Sequence, residues 1–83
     1  MDGVALKINQ LRDKIAEVAR KTLHVAGEVE KLSRSIWYMK KLTVSQKNML
    51  SQNLMYVRMT LKALGDSMLD LAQKLEGLKQ YLK

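Results

Sequence analysis

From Val4 onward the apolar residues return at alternating steps of four and three: Val4, Ile8, Leu11, Ile15 and Val18, a polar slip at Thr22, then Val25, Val29, Leu32, Ile36 and Met39. A second series begins at Leu50 and runs through Leu54, Val57, Leu61, Leu64, Met68, Leu71, Leu75, Leu78 and Leu82 without a miss. A mean step of about 3.5 residues sustained over this length is the coiled-coil signature, because it keeps one stripe of a slightly underwound helix turned toward a partner. Taking Ile8 and Leu54 as heptad positions a makes Leu11 and Val57 positions d.

Between the two series lies Leu42-Thr43-Val44-Ser45-Gln46. Thr43 followed three residues later by Gln46 fits a capping box, in which each side chain satisfies a backbone N–H of the other residue. Lys40 and Lys41 stand just before it, where cations suit the negative end of a first helix. A connection this short forces antiparallel packing. The layers then pair Ile36 with Leu50, Leu32 with Leu54, Val29 with Val57, and so on to Val4 with Leu82, each pair of numbers adding to 86.

The pattern therefore predicts an all-α chain, an antiparallel two-helix coiled-coil hairpin that forms a single domain over 1–83. Helix 1 is expected at about 3–41, the turn at about 42–44 and helix 2 at about 44–82. The absence of Pro lets both helices run unbroken. Gly65-Asp66-Ser67, with Asp66 as a cap, is where a third helix could begin, but the heptad continues through it in Leu64, Met68 and Leu71.

The two flanks of the a/d stripe differ. On the e and b side stand Ala16, Ala19, Leu23, Ala26 and Trp37 from the first helix, with Met55, Leu69 and Ala72 from the second. On the g and c side stand polar residues such as Lys14, Glu17, Lys21, His24, Glu28, Asn53, Asp70 and Lys74. A chain of this size is near the limit at which a lone core supplies only a few kcal/mol, and monomers seldom leave a broad apolar face in water. Those eight e and b residues are therefore expected to be an association face. Through it two hairpins would pack into a four-helix bundle, with a second copy as the favoured partner and a related hairpin as the next.

Charge adds a polarity along the rod. The net charge is +7, and no acidic residue lies between Glu30 and Asp66, where Lys31, Arg34, Lys40, Lys41, Lys47, Arg58 and Lys62 are found. The other residues carry eight basic and eight acidic side chains, which cancel. Folded antiparallel, those seven cations mark the turn-proximal half. They form a candidate cationic tip for a polyanion: nucleic acid, an anionic membrane or an acidic protein.

Candidate chemistry is sparse. His24 is the lone His, there is no Cys, and no glycine-rich phosphate loop is present, so neither a metal set, a cofactor nor a small-molecule substrate is expected. No apolar run approaches the ~20 residues of a membrane span, and no basic segment leads into an apolar one as in a secretory signal, so a soluble protein of unassigned compartment is expected.

The string Ile8-x-x-Leu11-Arg12-x-x-Ile15 resembles the start of the all-helical chorismate mutases, whose first-helix Arg grips a substrate carboxylate. Further cations on that helix are part of the family's pattern, and here Glu28 stands where one belongs. Small hairpins of the Trp-X-Gly type, carried by type VII secretion, are similar in length and in having a Trp near the turn. In this chain Trp37 is followed by Tyr38-Met39 without the glycine. The reading that results is a non-enzymatic assembly or protein-interaction module. A nucleic-acid-binding hairpin, a partner or substrate of a secretion system, and an anionic-membrane-surface binder are the alternatives.

Overall fold

A computed structural model describes residues 2–82. Two long helices, α1 (Asp2–Ile36) and α2 (Val44–Leu78), pack side by side, and a short 3-10 turn, Lys79–Leu82, follows α2. The molecule is a rod of 62 × 13 × 10 Å, in keeping with helices of 35 residues, each about 52 Å long at about 1.5 Å per residue. No described helix is long and apolar enough to cross a membrane.

The start of α2 follows from local chemistry. Thr43 holds an extended backbone, the Gln46 amide N–H donates to its Oγ1 at 3.1 Å, and its own N–H donates to Gln46 Oε1 at 2.9 Å. Both halves of the capping box are thus made. α2 then runs unbroken through Gly65-Asp66-Ser67, and no third helix begins there.

Helix 1 ends at Ile36, five residues short of the expected end near 41, and the connection spans Trp37 to Thr43 rather than 42–44. Two residues would have to cross the ~8–10 Å between helix axes while both helix ends were being capped; leaving the helix early supplies the missing chain. The last turn tightens into i-to-i+3 bonds, from Trp37 N to the Arg34 carbonyl (3.3 Å), Tyr38 N to Ser35 (3.1 Å) and Met39 N to Ile36 (3.1 Å). Lys47 Nζ reaches back from α2 and donates to the Trp37 carbonyl at 3.2 Å.

The register survives this shorter helix. Ser33 meets Ser51, Leu23 meets Gly65, and ion pairs join Arg12 to Glu76 and Glu30 to Arg58. These pairs of numbers add to 84 or 88, on either side of the expected 86. The helix ends at 36 and 44 sit off that centre, so α2 overhangs α1 by about six residues, or about 9 Å, and within the overhang Lys47 holds the Trp37 carbonyl of the connection.

The side of the helix used for the seam is not the expected one. The most buried residues are Ala19 (0% exposed), Ile36 (4%), Ala26 (5%) and Ala72 (6%), joined by Gly65. Apart from Ile36, an a position, all of these are e positions. At Gly65 an added Cβ would stand 2.7 Å from Leu23 Cγ and Cδ2 and 3.4 Å from the Ala19 carbonyl oxygen, so the backbones approach closely there. With about 100° per residue, a seam centred between a and e is turned about 50° from one centred between a and d. Small e residues explain the choice, because they let two helices come closer than a layer of leucines allows.

Candidate functional site

The turned seam changes which surface is left over. The d residues Leu11, Val18, Val25 and Leu32 of α1, and Leu50, Val57, Leu64, Leu71 and Leu78 of α2, are 42–52% exposed. They flank the seam on one side of the hairpin. Near the open end Leu11, Leu71 and Leu78 line a shallow groove together with Ile15 and Leu75. An aliphatic stripe on both helices is thus presented to water along the length of the rod.

The opposite flank is closed by charge. Arg12 on α1 and Arg58 on α2 lie at e positions with largely covered stems, and each reaches a b-position carboxylate of the other helix, Glu76 and Glu30 respectively. Glu30 also accepts from Arg34 at 2.8 Å, and Glu76 from Lys79 at 3.0 Å. The Arg34 hydrogen bond, reinforced by the charges of Arg34 and Arg58, holds the Glu30 carboxyl below the usual range. Glu76 is likewise lowered, first by its hydrogen bond from Lys79 and then by that from Arg12. The Arg12 guanidinium is raised by its bonds to Glu76 and Asp13. The arginine that the chorismate mutase resemblance would turn toward a substrate is therefore occupied by two carboxylates of its own chain.

The eight residues expected to form an association face are dispersed by this packing. Ala19, Ala26 and Ala72 are consumed by the seam within one chain, so their burial needs no second copy, contrary to the expectation. Ala16, Leu23 and Leu69 are half-buried beside the seam on the ion-paired flank, Met55 is exposed there, and Trp37 lies beyond the end of α1 in the connection. The d stripe, expected from sequence in the hairpin seam, is an apolar surface that runs along both helices and remains exposed.

The seven turn-half cations also separate. Lys31 pairs with Glu28 at 3.6 Å, while Arg34 and Arg58 share Glu30. Lys47 is spent on the Trp37 carbonyl. Among the described residues Lys40, Lys41 and Lys62 form no ion pair, and the first two sit in the connection itself. Around Lys40 and Lys41 the apolar side chains project outward: Tyr38 is 86% and Val44 68% exposed, and Trp37 and Met39 are close to half-exposed. His24 faces water, with its Nε2 3.6 Å from a Glu28 carboxylate oxygen.

No protein-family model matches the chain, and neither a curated protein nor a solved structure matches it.

Proposed function

We propose that this chain is a non-enzymatic assembly module whose d-position stripe docks on the same stripe of a second copy, making a four-helix bundle from two hairpins. The observation that carries the reading is the division of labour among heptad positions. A helix in a four-helix bundle presents a, d and e inward, a stripe wider than two helices alone can bury. Here a and e are used within the hairpin, and d is left half-exposed along both helices.

Area supports the same reading. The chain exposes 6536 Å², whereas a compact monomer of its 9.5 kDa mass would expose about 5,000 Å². The difference, about 1,500 Å², exceeds the ~800 Å² that one partner contributes to a standard interface. The other flank is a poorer candidate, because docking there would desolvate the Arg12–Glu76 and Glu30–Arg58 pairs.

The test is a double variant at the centre of the stripe, Val18→Gln with Leu64→Gln, measured by light scattering beside the wild type. Both side chains are half-exposed in the single hairpin, so the substitutions spare the a/e seam. The expected result is a mass equal to one chain for the variant and two for the wild type. A variant that keeps the wild-type mass would place the interface elsewhere.

A further inference from the structure

We propose that the turn end of the hairpin is a docking tip for an anionic lipid surface. The proposal goes beyond the assembly reading and does not rest on it, since a partner lying along the d stripe leaves the end of the rod uncovered. The tip combines two features in one short connection. Lys40 and Lys41 are cationic and unpaired among the described residues, and Trp37, Tyr38, Met39 and Val44 are apolar or amphipathic and exposed. Trp and Tyr rings settle at the headgroup level of a bilayer, where one edge stays hydrated and the body of the ring is removed from water. Lysines beside them are drawn to the negative surface of anionic lipids. No carboxylate lies between Glu30 and Asp66 to oppose that attraction.

Lipid fits this end better than nucleic acid does, and the reason is the fate of the other cations. Non-specific nucleic-acid affinity grows with the number of phosphates neutralised, and so needs a track of free cations. Lys31, Arg34 and Arg58 are ion-paired with Glu28 and Glu30. Lys47 keeps its charge but is tied to the Trp37 carbonyl, and Lys62 is unpaired among the described residues but stands along α2, about eighteen residues from its start. What projects from the end is two lysines set among apolar groups, a composition suited to shallow insertion. The helix dipoles do not decide the matter, because the negative end of α1 and the positive end of α2 meet at the tip and oppose each other.

Trp37 is the single Trp of the chain and stands in the tip, so its emission reports docking directly. The full chain is titrated with phosphatidylcholine vesicles, with vesicles in which part of the phosphatidylcholine is replaced by phosphatidylserine, and with duplex DNA at matched salt. The expected result is co-sedimentation with the phosphatidylserine vesicles, a blue shift of Trp37 emission and quenching by brominated acyl chains. Lys40→Gln with Lys41→Gln is expected to weaken that binding by about tenfold or more. Lys7→Gln with Lys14→Gln removes the same charge from the open end and is expected to leave it in place. The proposal is overturned if Trp37 emission does not move with phosphatidylserine vesicles, if the two lysine pairs lose binding equally, or if the chain binds DNA in preference to the vesicles.

Discussion

At Gly65 an added Cβ would stand 2.7 Å from Cγ and Cδ2 of Leu23, whereas nothing lies within 4 Å of the place a Cβ would take at Gly27. Both glycines sit inside helices, where glycine is about 1 kcal/mol less favourable than alanine. Only one of the two has a packing reason to be there. Gly27→Ala should therefore raise stability by about 1 kcal/mol, a rise in Tm of roughly 4–8 °C for a domain of this size. Gly65→Leu should lower it by about 1–3 kcal/mol, because its bulk must displace Leu23 or push the helices apart. Thermal melts followed by circular dichroism, at one protein concentration, check both. A Gly65→Leu chain as stable as wild type would mean that the backbones do not meet at this point. In sequence, the signal for the close approach was present in Ala19, Ala26, Gly65 and Ala72 recurring at e positions. The period shows that they share a stripe but not which neighbour the stripe faces, which is why an outer face is the natural expectation for the three alanines.

Between the elements, register proved legible and the turn less so. Register is set by many layers that agree, so a local change in the chain does not move it; Ser33 opposite Ser51 and Leu23 opposite Gly65 lie within two of the expected sum. The end of helix 1 depends instead on how a few residues cross between axes, and the heptad position of Met39 carries no information about that. The cap at Thr43 was readable because its chemistry is local. Glu30, held by Arg34 and Arg58, and Glu76, held by Lys79 and Arg12, make a further prediction. Both glutamates have lowered folded-state values. Their stabilising effect is therefore complete above the ordinary glutamate pKa of about 4.3 and is lost as pH falls through the lower folded values. Acidification through that window should lower the Tm of wild type more than that of a Glu30→Gln, Glu76→Gln chain, with little pH dependence of either near neutrality. Equal acid sensitivity of the two chains, read from the same melts, would show that the ionised Glu30 and Glu76 do not stabilise the fold.

For the molecule as a whole, the hairpin architecture was legible in the sequence because composition and period agree on two long helices. The exposed apolar surface was only half legible. A hairpin with an apolar flank left over follows from an a, d and e stripe wider than one neighbour can cover. Which flank is left over depends on a rotation of about 50°, the difference between pairing a with d and pairing a with e. Small residues at e favour the second arrangement, and the leucines at d are then free for another layer. The cationic half of the rod was likewise visible as a run without acids, but its division into paired side chains and a free tip depends on Glu28 and Glu30, which lie just outside that run and reach into it.

Equilibrium sedimentation of the wild-type chain over a concentration series reads out whether the exposed d stripe is an interface between copies. The mass is expected to climb from one chain of 9.5 kDa to two and then to stay there, since docking one stripe on another leaves no further stripe to add to. A mass that remains that of one chain at every concentration would contradict it.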